Sequence, residues 1–215
     1  MPRESIENKR KRVLKVIKGL RKAHPNARCA LYFRNPLELM IATILSAQCT
    51  DKRVNIVTPP LFERFSSASA FAKADVKEIE EYVKTTGFYR NKAKNILEAC
   101  KIIVEKYSGE VPAHLEDLVK LPGVGRKTAN VVLGNAFDIP GLTVDTHMIR
   151  LNHRLGLTKE KDPVKIEFDL MKIVPKEEWT WYSHLIIHHG RSRCLARKAD
   201  CESCEIATYC LKVDV

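Results

Sequence analysis

Three observations predict an all-α fold. Apolar residues recur at the three- and four-residue spacing of a single helix face, and Pro, Gly and Asn interrupt those stretches at helix-length intervals. No alternating apolar and polar run bounded by hairpin turns occurs. At 215 residues the chain has enough core for one large domain or two small ones.

The first helix carries the stripe Val13, Val16, Ile17 and Leu20 and ends in the Gly/His/Pro/Asn region up to Asn26. A second starts at Pro36, a favoured first helical residue, with Leu37, Ile41, Ile44 and Leu45 on one face. It is apolar nearly all round and is expected to be central and buried, ending at the polar break Ser46 to Asp51 at the domain surface. Asp51 is the expected cap of a third helix, stopped by Pro59-Pro60. Leu61 to Phe71 reads as a short helix and loop, and Val76 to Lys84 as a helix closed by Gly87. A long helix over Asn91 to Tyr107 turns Ile96, Ala99, Cys100, Ile103 and Val104 inward, and Gly109 and Pro112 end it. Leu115, Leu118, Val119 and Leu121 make a brief helix running into Pro122-Gly123. Beyond Pro140-Gly141, helices are expected from Asp145 to about Leu155, from Pro163 to before Pro175, and from Glu177 to His189. The last carries Trp179, Trp181, Leu185 and Ile186, with His184, His188 and His189 as polar packing groups. The tail after it is too rich in cysteine and too poor in apolar residues to fold without a cofactor.

Lys and Arg total 37 against 26 Asp and Glu, a formal +11 that points to a polyanionic partner, nucleic acid before a membrane surface. Nine of these basic residues (Arg3, Lys9, Arg10, Lys11, Arg12, Lys15, Lys18, Arg21 and Lys22) fall in the first 22 residues, a stretch equally compatible with a solvated helix face. There is no run long enough for a membrane span and no signal-peptide core, so the expected location is intracellular. Seven cysteines in such a protein argue against a disulfide framework, and Cys29, Cys49 and Cys100 read as small core residues.

Chemistry concentrates in two places. In the stretch Leu121 to Asn130, Gly123 and Gly125 permit a tight turn that aims N–H groups at an anion, and a helix from Arg126 buries Ala129, Val132, Leu133 and Ala136. At about 100° per residue, Lys127 points away from that face. Asp145 follows eighteen residues after Lys127, in Val144-Asp145-Thr146-His147. A neutral amine attacks carbon, and a carboxylate can serve as its base or stabilise positive charge on a sugar. A P-loop requires Gly where Arg126 stands. A dinucleotide turn requires a preceding strand and Gly or Ala where Thr128 stands, so both are excluded. The second place is Cys194, Cys201, Cys204 and Cys210, separated by six, two and five residues. Only one Cys-x-x-Cys pair is present, which fits an iron–sulfur cluster better than a four-cysteine zinc site. Its longest arm is a basic loop held at both ends, suited to phosphate.

The glycine turn with Lys127, the motif ending at His147, the cysteine run and Leu45-Ser46-Ala47-Gln48 together resemble the helix-hairpin-helix DNA glycosylase superfamily, in its endonuclease III branch, over nearly the whole chain. The resemblance implies a base-excision-repair glycosylase with apurinic/apyrimidinic lyase activity, a monomer acting on oxidised pyrimidines flipped out of damaged double-stranded DNA. Lys127 then attacks C1′, a Schiff base forms and β-elimination cleaves the strand, with Asp145 assisting. Gly123, Val124 and Gly125 bind phosphate through their N–H groups. Gln48 and Phe88 fill the gap left by the flipped nucleotide, although family members often carry an aliphatic residue where Phe88 stands. Arg197 and Lys198 contact the backbone, and His147 lies among the DNA-binding residues. The four cysteines hold a [4Fe-4S] cluster that is structural or redox-active. The implied architecture is a six-helix domain over residues 30–139 containing the hairpin, and a cluster domain built from 1–29 and 140–215, flanking a DNA-binding cleft. In a prokaryote the location is cytoplasmic, at the nucleoid. Within the superfamily, Lys127 and the chain's end at Val215 argue against the water-using mismatch enzymes and the adenine-removing branch. The competing reading from another class is a non-enzymatic helix-hairpin-helix DNA-binding module with a structural metal site.

Overall fold

The computed structural model describes residues 4–215, so Arg3 lies outside the described residues. Eleven α-helices and no named strand occur among them, and no helix is long and apolar enough to cross a membrane. The chain divides into two compact units, Cys29–Ile139 and residues 4–28 together with Pro140–Val215.

The contiguous unit holds α2 (Pro36–Leu45), α3 (Asp51–Arg64), α4 (Ala68–Ala72), α5 (Val76–Val83), α6 (Tyr89–Lys106), α7 (Leu115–Leu118) and α8 (Arg126–Ala136). Leu39, Met40, Ile41, Ala42, Ile44 and Leu45 are all buried, because α2 is packed by α3, α6 and α8 and has no solvent face. Asn35 caps it, its side chain accepting from the Glu38 N–H at 2.9 Å.

Five local expectations are corrected in this unit. Thr50, not Asp51, caps α3, its hydroxyl accepting from the Arg53 N–H at 3.2 Å. Helix α3 also runs through Pro59 and Pro60 to Arg64. Each proline removes a backbone donor, and the burial of Val54, Val57, Leu61 and Phe62 on both sides of the pair offsets that loss. Helix α6 begins two residues early, and Val104 is 37% exposed because it lies about 80° round the helix from Ile96. Val119 is exposed as well, lying beyond the end of α7.

In the two-ended unit, α1 (Ile6–Ala23), α9 (Thr146–Arg154), α10 (Pro163–Met171) and α11 (Trp179–Ser192) enclose Val13, Val16, Leu20, Met148, Leu151 and Tyr182. Several α1 cations act as fasteners. Arg12 donates to the backbone carbonyls of Leu155 (2.7 Å) and Tyr209 (2.9 Å) and pairs with Glu4, Lys9 reaches the Leu157 carbonyl, and Arg21 pairs with Glu178. The basic N-terminal stretch is therefore neither a uniformly solvated face nor wholly available to a polyanion. Gly19 lets the tail lie against α1, since a Cβ there would stand 2.8 Å from Ile206. Trp181, one of the aromatic residues expected in α11, is 43% exposed with the Arg21 guanidinium 5.9 Å from its ring.

Candidate active site

In the contiguous unit, α7, the turn Leu121 to Gly125 and α8 form a helix-turn-helix element. Gly123 has φ +77°, and a Cβ on it would stand 3.0 Å from the Asn95 side chain, so the position needs glycine for both conformation and space. Val124 locks the turn: its side chain is buried and its N–H donates to the Leu121 carbonyl at 3.0 Å. Gly125 is the N-cap of α8 and has no side chain to accept from the first-turn N–H groups, whereas Asn35 and Asp145 cap their helices. The N-terminus of α8 thus directs donors and a positive dipole end outward. Lys127, the second residue of α8, is exposed, and its ammonium has no hydrogen-bond or ion-pair partner among the described residues.

Asp145 lies in the two-ended unit at the N-cap of α9. Its Oδ1 accepts from the Met148 N–H at 2.8 Å, and its Oδ2 accepts no hydrogen bond among the described residues. One carboxylate oxygen therefore holds the helix while the other stays open. His147 follows, half-buried, with Nδ1 3.2 Å from an Arg150 nitrogen. Burial first, and the Arg150 charge as well, push its pKa below the usual histidine range. That Arg150 nitrogen also donates to the carbonyls of Gly190 (2.9 Å) and Cys194 (3.0 Å), tying α9 to the start of the cysteine run.

Cys194, Cys201, Cys204 and Cys210 line one pocket, and none is in a disulfide. Burial raises the Cys204 and Cys210 thiols above their ordinary range. N–H groups nevertheless point at sulfur: an Arg154 nitrogen lies 3.2 Å from Cys194 Sγ, and the Lys212 N–H 3.3 Å from Cys210 Sγ. Among the described residues, only His189, Cys204 and Glu205 bring three ligand-type atoms within 4.8 Å of one another. His189 was not expected beside the cysteines. It is fifteen residues from Cys204 in the chain, although α11 leads directly into Cys194, whose N–H bonds the His189 carbonyl at 2.9 Å. Burial lowers His184 and His189 to about 4, so both are neutral at pH 7.

The loop between Cys194 and Cys201 is a pinned hairpin. A Cys194–Ala199 bridge and an Arg193–Asp200 ion pair of 2.7 Å close it, and Arg154 donates to the Leu195 and Ala196 carbonyls. Arg197 and Lys198 project from it, exposed and without partners among the described residues.

Gln48 and Phe88 belong to the contiguous unit. Both are exposed and both have left-handed backbones, φ +52° and +47°, a conformation that is strained for side chains of their kind.

Residues 41–176 match the family model for the HhH-GPD superfamily of base excision DNA repair proteins. Over 206 residues the chain is 54% identical to endonuclease III of Synechocystis sp., covering 95% of this chain and 94% of that one. The chain belongs to the endonuclease III family. A solved non-covalent endonuclease III–DNA complex superposes with a TM-score of 0.89 at 43% identity, covering 94% of this chain and 95% of that one. A trapped endonuclease III–DNA covalent intermediate gives the same TM-score and identity, covering 94% and 96%. The all-α architecture is that of endonuclease III, and the helix-turn-helix element around Gly123 lies within the residues matched to the family.

Proposed function

We propose that this chain is a base-excision DNA glycosylase with apurinic/apyrimidinic lyase activity, acting as a monomer on oxidised pyrimidines in damaged duplex DNA. The observation that carries this reading is Lys127: an exposed amine without a partner among the described residues, on the uncapped N-terminus of α8, in a member of the endonuclease III family. The Gly123 turn and the first turn of α8 bind phosphate by N–H donation, with Val124 serving through its buried side chain and the turn it locks. Lys127 Nζ attacks C1′, the bond from C1′ to the base breaks, and the base leaves with the electron pair. The sugar ring opens to a Schiff base on Lys127. Loss of a C2′ proton then expels the 3′ phosphate by β-elimination. Asp145 supports the reaction through its open Oδ2, taking a proton or stabilising positive charge on the sugar. Gln48 and Phe88 fill the gap in the duplex, while Arg197, Lys198 and His147 contact the DNA around the lesion.

The cysteine pocket suits a [4Fe-4S] cluster. The four thiols line one pocket, and their run has one Cys-x-x-Cys pair where a four-cysteine zinc site usually has two. The N–H groups aimed at Cys194 and Cys210 match thiolate ligands. Cys194, Cys201, Cys204 and Cys210 would hold the cluster, which would be structural or redox-active and take no part in base removal. A cytoplasmic location at the nucleoid accords with a DNA substrate and with bacterial relatives.

The test is product analysis on a panel of duplexes that each carry one oxidised pyrimidine. Cleavage 3′ to the lesion with an unsaturated sugar end is expected. Base release that leaves an intact abasic strand until alkali is added would contradict the lyase step.

A further inference from the structure

Lys92 is the most unusual buried group in the contiguous unit. It is 5% exposed, and among the described residues the only hydrogen bonds of its ammonium go to two backbone carbonyls, Leu45 at 2.8 Å and Thr86 at 2.7 Å. No carboxylate among those residues pairs with it. Burial pushes its pKa below the usual lysine range, which marks the cost of holding a charge against neutral dipoles alone. In α6, Lys92 stands four residues before Ile96 and seven before Ala99, on the face that is otherwise apolar.

Each of the two carbonyls stands at the base of a strained turn. Leu45 ends α2, and the next residues form the turn Ser46-Ala47-Gln48, with Gln48 at φ +52°. Thr86 ends the 3-10 turn Lys84–Thr86, and the next residues are Gly87 and Phe88, at φ +69° and +47°. The Lys92 backbone N–H also donates to the Phe88 carbonyl at 3.2 Å. One residue therefore holds the base of both turns. Carbonyls at helix ends lack intrahelical partners, and an ammonium on a four-carbon stem can reach two of them at once. We infer that Lys92 is a positioning residue that fixes the Gln48 and Phe88 turns to one another, so that their two side chains enter the damaged duplex as a unit. This inference rests on the assignment of Gln48 and Phe88 as the gap-filling residues.

The test compares affinity for a duplex carrying a tetrahydrofuran abasic analogue with affinity for the same duplex undamaged, at fixed salt. Lys92→Met keeps the stem and removes the donors. It is expected to lower the abasic preference about tenfold, leave undamaged-duplex affinity unchanged, and add little further loss in a Gln48→Ala/Phe88→Ala background. Lys92→Gln, which keeps two N–H donors, should fall between wild type and Lys92→Met, and it carries the same comparison if the methionine variant does not fold. An unchanged preference in the folded variant would overturn the inference, as would a loss fully additive with the double replacement. Wild-type protein with no abasic preference would contradict the proposed function, and the inference with it.

Discussion

At the scale of single residues, Asp145 separates structure from chemistry most cleanly. Its Oδ1 caps α9, and asparagine caps helices about as well as aspartate. Asp145→Asn should therefore change stability by less than about 0.5 kcal/mol. It removes the carboxylate whose Oδ2 is open, so single-turnover base release should fall on the order of 100-fold. Thermal unfolding beside a single-turnover assay checks both, and a variant equally active or grossly unstable would contradict the division of labour. Asp145 and Lys127 stood out in the sequence because motif spacing is local. Lys92 did not, because its burial depends on carbonyls supplied by two other segments. The available signal was a lysine in register with Ile96, Ala99 and Ile103, on a face where a charge is out of place.

Among the elements, the hairpin between Cys194 and Cys201 carries a prediction of its own. Arg193 is held by Asp200 and Glu205, whereas Arg197 projects to solvent. Arg197→Ala should weaken binding to damaged and undamaged duplex alike and reduce the slope of log affinity against log salt by about 0.9. Salt titrations by fluorescence anisotropy measure this, and a change confined to the damaged duplex would contradict a phosphate role. Element order and type were legible through apolar periodicity, as in α2 and α11. Boundaries were less so. Pro59-Pro60 reads as a stop, yet α3 continues because Leu61 and Phe62 are buried in the core beyond it. The proximity of His189 to Cys204 is tertiary, and nothing in their fifteen-residue separation announces it.

For the molecule as a whole, the two-ended unit is closed by the tail against α1, through Arg12 to the Tyr209 carbonyl and through Gly19 beneath Ile206. A cluster on the four cysteines adds to that closure. Anaerobically prepared protein should be brown and contain about four irons per chain. Removing the metal should increase hydrogen exchange across residues 194–215 far more than in α2 or α8. A colourless, zinc-containing preparation would contradict the cluster.

The lyase mechanism requires a covalent bond between Lys127 and the sugar. Borohydride trapping on a duplex with one abasic site measures it directly: reduction should yield a stable protein–DNA adduct with the wild-type chain and none with Lys127→Ala. No adduct with the wild type, or an undiminished one with Lys127→Ala, would rule out a Schiff base on Lys127.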